Sequence, residues 1–407
     1  MPNEKLTLGA TDLQRNLRLY GWLKVFNKRV YLPLTSIYLV TVGHVSIAQI
    51  GALVIIGAIT SIAAGIPTGY FADRVARQTS LVAGAFLLAF AALVFVLFPS
   101  FAGGIVAVMS EALGFSFISG AGEALMHDTL AAMSRTGDYV RVMGRAQSFG
   151  LIGNIILVGV VPLTWGINHR LPFVCGFAAA LLLAFVSLSM VEPPRTKPPN
   201  LTGGVYRGLV RSLREFINRR SIWIFIAFGV MSAFYVAYAN FVPLVMKDLG
   251  INVSLFGLLY AASSLVGALG GWYIQHLRRL PFLAYALFDV FIGTSTMIVI
   301  GLSHSLLLAS IAFLLNLGFW RLRSIMYQDN LLQRFGHHGT KATLVSSLSF
   351  FDNLNEIWMP AVFVAATSAF GFYLGFALLG AVGFVVMGAL FVLGVTELDH
   401  NHKSMLQ

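Results

Sequence analysis

The chain has 407 residues, 57% of them hydrophobic and only 11% charged, with a mean hydropathy of +0.81. A soluble globular chain carries about 25% charged residues, so this composition excludes a large soluble domain and describes an integral membrane protein. The net charge of +11 is read as loop charge that holds cytoplasmic segments inside and attracts anionic lipid, not as a nucleic-acid surface.

Spans of about 20 residues with short turns allow about 12 helices in this length. Residues 1–16 are polar, with no cleavable-signal pattern. The first span is expected over 19–42, kinked at Pro33, with Lys24, Lys28 and Arg29 in it or at its start. The second and third are expected over 47–70 and 79–98. The fourth, 102–130, carries Glu111, Glu123, His127 and Asp128. The fifth, 146–165, holds Gly150, Gly153 and Gly159, and the sixth covers 172–191. Residues 192–220 form the only long polar segment, a proline-rich linker followed by a stretch that could lie as an amphipathic helix on the inner surface. Six further spans follow, at 221–244, 253–275, 281–301, 305–330, 343–366 and 370–394. The only fixed positive charges near the expected outer loops are Arg170 and Lys247. That asymmetry puts both termini in the cytoplasm.

The second half echoes the first. GIPTGYFADRVAR (65–77) aligns with GALGGWYIQHLRR (267–279), pairing Gly69 with Gly271 and Arg77 with Arg279. At nearly the same spacing Asp128 falls on Asp329, and Asn154 on Asn355. Three echoes in order predict an all-α membrane protein of twelve transmembrane helices in two six-helix pseudo-symmetric halves, 1–191 and 221–407, joined by a cytoplasmic linker at 192–220. The loop Gly69–Arg77 resembles the Gly-x-x-x-Asp-Arg-x-Gly-Arg signature of the major facilitator superfamily. Two positions differ: Ala76 stands where that family usually has glycine, and Gln78 where it often has a basic residue.

Ionisable groups inside spans are costly and face a cavity or one another. In the family resembled, the first, fourth, seventh and tenth helices line the central path, so Arg29 can meet Glu111 or Glu123 there. Arg29 then either binds an acceptor group of the solute or holds two helices in a salt bridge; Lys24 reads as interfacial. Arg321 lies about 16 Å from the inner end of its span and Asp352 about 14 Å from that of its own, so their depths match. Asp352 and Glu356 are four apart and share a helix face. Glu111, Glu123, Asp352 and Glu356 are therefore the candidate proton-coupling groups. Asp289 reads as a packing or lipid-edge contact. Tyr31, Tyr38, Tyr235, Tyr238, Asn240, Asn316, Trp320, Tyr327 and Asn355 are the aromatic and amide groups of the expected pocket. Gly69, Asp73, Arg74, Arg77, Asp128 and Asp329 lie at inner helix ends and are expected to form a gate.

No nucleotide-binding loop is present, and the single Cys175 permits no intrachain disulfide. No cofactor or metal site is implied, His337-His338 being weak evidence, and no clustered nucleophile and base suggests an enzyme. The reading is a monomeric secondary transporter of a small organic solute, working among membrane lipid by alternating access, with protons as the candidate coupling ion. The expected location is a bacterial inner membrane. A lipid translocase or multidrug exporter on the same fold is the alternative.

Overall fold

The computed structural model describes residues 10–194, 222–277, 282–335 and 341–404. All described regular structure is helical. In chain order the helices are α1 (Ala10–Phe26), α2 (Thr35–Thr41), α3 (Ile47–Arg74), α4 (Arg77–Leu97), α5 (Phe101–Ile118), α6 (Ala121–Ala132), α7 (Tyr139–Val160) and α8 (Leu171–Ser189), then α9 (Ile222–Asp248), α10 (Phe256–Leu277), α11 (Phe282–Ser303), α12 (Leu306–Phe335), α13 (Lys341–Phe370) and α14 (Phe372–Ser404). Ten candidate spans among the described residues are long and apolar enough to cross a membrane, not twelve.

The two missing ones have separate causes. The expected first span is broken. α1 ends at Phe26, and the chain turns through the short 3-10 helix Leu32–Leu34, with Pro33 near its start, before α2. Neither piece alone is long enough to span. In α13 the run Asp352, Asn353, Asn355, Glu356 lowers the hydropathy of a 30-residue helix. The expected fourth span is also interrupted. α5 stops at Ser119, and Gly120 takes a φ of +75° before α6 begins. Glycine adopts that conformation without the Cβ clash other residues meet.

Two compact units result. One comprises Met1–Val45 with Ile59–Asn200, the other Ser46–Ala58 with Leu201–Gln407. In the first unit α4 packs on α5 and α8, and α1 packs on α7. In the second, α11 packs on α12 and α14, and α9 packs on α13. Small residues let these helices approach, because apolar burial does little to associate helices in lipid. A Cβ on Gly84 would stand 2.6 Å from the Gly114 carbonyl oxygen, at the α4–α5 crossing. A Cβ on Gly380 would stand 2.7 Å from the Thr294 carbonyl oxygen, at the α11–α14 crossing.

α1 begins inside the segment expected to be a polar tail. Asn16 explains this. It is fully buried, donates to the Val191 carbonyl oxygen at 2.8 Å and to Thr129 Oγ1 at 3.2 Å, and accepts from the Val191 amide at 2.9 Å. One amide thus anchors α1 to the ends of α6 and α8. The linker beyond Pro194, the proposed amphipathic segment and His337-His338 lie outside the described residues.

Candidate functional site

The first unit places its charged groups at the two helix breaks. Arg29 sits in the turn after α1 and reaches Glu111 on α5, Nη1 to Oε2 at 3.1 Å. Tyr31 donates to Glu111 Oε1 at 2.5 Å. The Glu111 side chain is 5% exposed and that of Arg29 39%, so the carboxylate is the buried partner. Gly176 on α8 makes room for Tyr31, since a Cβ there would lie 2.2 Å from the ring. Phe173 packs on Tyr31 with ring centroids 4.8 Å apart and the planes tilted by 32°. Of the two expected partners Arg29 therefore meets Glu111 and not Glu123. Tyr38 is buried and donates to the Phe95 carbonyl oxygen.

Glu123 instead pairs with Lys24, Nζ to Oε1 at 3.5 Å. Both residues line a cavity of about 320 Å³. Beside Lys24, α7 packs closely against α1. A Cβ on Gly150 would stand 2.6 Å from Lys24 Cβ, and one on Gly153 would stand 2.7 Å from Val25.

The second unit holds a larger cluster. Asp289 on α11 has no exposed surface and is no lipid-edge contact. It accepts from Arg323 on α12, whose Nε lies 3.2 Å from each carboxylate oxygen, and from the hydroxyls of Tyr235 and Tyr327 at 3.0 Å each. The guanidinium also donates to Ser232 Oγ and to the Phe228 carbonyl oxygen, and lies over the Phe228 ring with Cζ 4.5 Å from its centroid. On α13 the Asp352 carboxylate approaches Ser232 and lies in the field of Arg323. Its Oδ1 is buried without a hydrogen-bond partner.

The expected arginine of this cluster was Arg321. It is exposed and packs along Gly267 of α10, with a Cβ there 3.0 Å from Arg321 Cδ. Residues two apart on a helix point about 200° apart, so only one of Arg321 and Arg323 can face the bundle interior. Glu356 and Trp320 are half-buried. Tyr238 is buried with its hydroxyl unpaired, and Asn316 donates to Thr296 Oγ1 at 2.7 Å. Asn355 accepts from Trp358 Nε1 at 2.8 Å, and Asn240 bonds its own helix at Val236. Tyr235 and Tyr238 thus split: the first serves the ion pair, the second does not.

At the inner end, Arg77 binds the Asp128 carboxylate and the Ala124 carbonyl oxygen, and lies 3.8 Å from Asp73. Arg74 covers the Tyr70 ring at 5.0 Å. Gly69 meets no neighbour. The side chain of Asp329 lies outside the described residues. Glu192 was not anticipated. Its carboxylate accepts from the amides of Arg77 at 3.1 Å and Gln78 at 2.8 Å, capping the positive end of α4.

Residues 19–351 match the family model of the Major Facilitator Superfamily. The chain belongs to the major facilitator superfamily. It is accordingly a multi-pass membrane protein of a transporter family, not an enzyme. Its fold is similar to those of several solved structures. The nucleoside transporter NupG matches with TM-score 0.74 and 14% identity, over 94% of this chain and 99% of that one. A bacterial homolog of the human lysosomal transporter Spinster, inward-facing and unoccupied, matches with TM-score 0.69 and 16% identity, over 94% and 96%. A POT family transporter in complex with 5-aminolevulinic acid matches with TM-score 0.71 and 13% identity, over 94% and 96%. No curated protein sequence matches.

The two departures of this superfamily member from the loop signature have local explanations. Ala76 is in extended backbone, φ −166° and ψ 143°, which needs no glycine. Gln78 turns its side-chain amide to the carbonyl oxygens of Leu188 at 3.1 Å and Met190 at 2.6 Å. It closes the carboxyl end of α8, work a basic side chain can also do.

Proposed function

We propose that this protein is a monomeric, proton-coupled secondary transporter of a small organic solute, built of twelve spans in two related halves and working by alternating access in a bacterial inner membrane. The repeated helix pairings of the two units support the related halves. One observation carries the proton coupling. Arg323 already satisfies Asp289, yet a second carboxylate, Asp352, stands beside the same guanidinium with one oxygen buried and unbonded.

The charge count sets the chemistry. Two carboxylates share one guanidinium, so one negative charge has no cation of its own. A buried charge without a partner is costly, and binding a proton removes that cost. When the proton leaves, Asp352 competes with Asp289 for Arg323 through Ser232. The groups that act on Asp352 are Ser232 from α9 and Arg323 from α12, and Glu356 lies one turn along its own helix. Exchange of one arginine between two carboxylates couples protonation to the packing of four helices.

The test uses proteoliposomes with an imposed pH gradient and a pH-sensitive dye inside. Addition of a transported solute should move protons with the wild-type chain, and the signal should vanish in Asp352→Asn while equilibrium exchange of solute persists. Proton flux unchanged in that variant would refute the assignment.

A further inference from the structure

Between the broken first and fourth spans, the first unit holds a cavity of about 320 Å³ lined by Lys24, Asn27, Phe115, Ser119, Gly120 and Glu123, among others. Its size falls within the range of about 300–1,000 Å³ usual for small-molecule sites. Its wall contains one acceptor and some backbone donors without partners among the described residues, beside the Lys24–Glu123 pair. The positive φ of Gly120 starts α6 abruptly, and Gly120 has no side chain to cap it. The first amide in the helix ladder is that of Ala124, which bonds the Gly120 carbonyl oxygen at 2.9 Å. The amides of Ala121, Gly122 and Glu123 have no partner among the described residues and carry the positive end of the helix dipole. Lys24, also in the wall, adds a full positive charge. Asn27 Oδ1, from the opposite break, is buried and accepts no hydrogen bond.

The set is therefore bipolar. The unpaired amides of Gly122 and Glu123 and the Lys24 ammonium can meet an anion. The unpaired Asn27 amide oxygen and the Glu123 carboxylate can meet a donor. Leu23, Phe115 and Ile118 supply an apolar floor. The Lys24–Glu123 pair is long, 3.5 Å, and its carboxylate is more than half exposed, so a ligand with both charges can replace each partner for the other. Arg29 is not the anion receptor, because Glu111 already occupies it.

The geometry points to a binding site for zwitterionic solutes that carry a carboxylate, an ammonium group and an apolar side group. The carboxylate meets Lys24 and the α6 amides. The ammonium meets Asn27 Oδ1 and Glu123. The side group lies on Phe115 and Ile118. This names the solute class of the transporter proposed above and rests on that reading. Binding is measured without any proton gradient, so its failure is separate from a failure of proton coupling.

Thermal unfolding of the purified full chain would be followed with L-leucine, L-phenylalanine and L-alanyl-L-leucine. The single-charge analogues 4-methylpentanoate and 3-methylbutylamine serve as comparison. At least one zwitterion should raise Tm while both analogues leave it unchanged. Lys24→Gln and Glu123→Gln should each weaken that zwitterion's binding about tenfold or more, the weight of one charge-assisted hydrogen bond. Ser119 lies exposed at the break and gives a readout that leaves both charges in place. With Cys175 replaced by serine, Ser119→Cys should react with N-ethylmaleimide, and the binding zwitterion should protect it. A shift with none of the three zwitterions, an equal shift with a single-charge analogue, or labelling unaffected by a bound zwitterion would overturn the site.

Discussion

Arg323 holds Asp289 with the Nε–Nη2 edge of its guanidinium, Nε 3.2 Å from each carboxylate oxygen and Nη2 3.1 Å from Oδ2, and neither side chain has more than 1% of its surface exposed. Such a pair is expensive to form and more expensive to break. Asp289→Ala should cost about 3–5 kcal/mol by stranding the guanidinium. The double variant Asp289→Leu, Arg323→Met removes both charges and should recover much of that loss. Thermal unfolding in detergent measures both. If the single variant is as stable as wild type, the pair is not what fixes α11 to α12.

Gly176 tests how Tyr31 reaches its carboxylate. Gly176→Ala puts a methyl group where the Tyr31 ring now lies, within 2.2 Å. The ring must move, and the 2.5 Å bond to Glu111 should be lost with it. Tyr31→Phe removes the same bond without the clash and should cost about 1–3 kcal/mol, the range for a buried acceptor that loses its donor. Both variants should reduce transport. A stable Gly176→Ala with unchanged transport would show that the tyrosine hydroxyl has no part in it.

Gln78→Ala should uncap α8. The carbonyl oxygens of Leu188 and Met190 lose their donor, at a cost of about 1 kcal/mol. Gln78→Lys should retain most of the stability, since an ammonium also donates to helix-end carbonyls and complements the dipole. The order of Tm values, wild type and lysine above alanine, is the measurement. Equal values for all three would remove the capping role.

The glycine at the fourth-span break needs its own conformation. Gly120→Ala should cost about 1–2 kcal/mol through the left-handed φ alone, because nothing else lies near its Cβ. Its effect should therefore appear in stability and in the start of α6, seen as faster amide exchange at Ala121–Ala124 by hydrogen-exchange mass spectrometry. An unchanged exchange pattern would mean that the break is set elsewhere.

Much of this arrangement can be read from the chain alone. The low charge content and long apolar runs require a membrane protein, because charged side chains are costly in lipid and unpaired backbone forces helices there. The echo of residues 65–77 at 267–279 signals a repeat without any coordinates. Asp352, Glu111 and the Arg77–Asp128 pair could be picked out because a charge inside or at the end of a span needs a partner. The identity of the partner could not. Arg29 chose Glu111 over Glu123, and Asp352 found Arg323 rather than Arg321. Those choices depend on helix rotation, which changes by about 100° per residue and is fixed by distant contacts such as Gly150 on Lys24. Asp289 appears solitary in the sequence because its partners stand on two other helices, α9 and α12, far away along the chain. A kink is legible at Pro33, but the helix stops at Asn27–Tyr31 and at Gly120 are not, since charged residues and glycines also occur within continuous helices such as α12 and α7. Hydropathy reports how deep a segment lies; only packing decides where its backbone stops being a helix and which polar groups are left open.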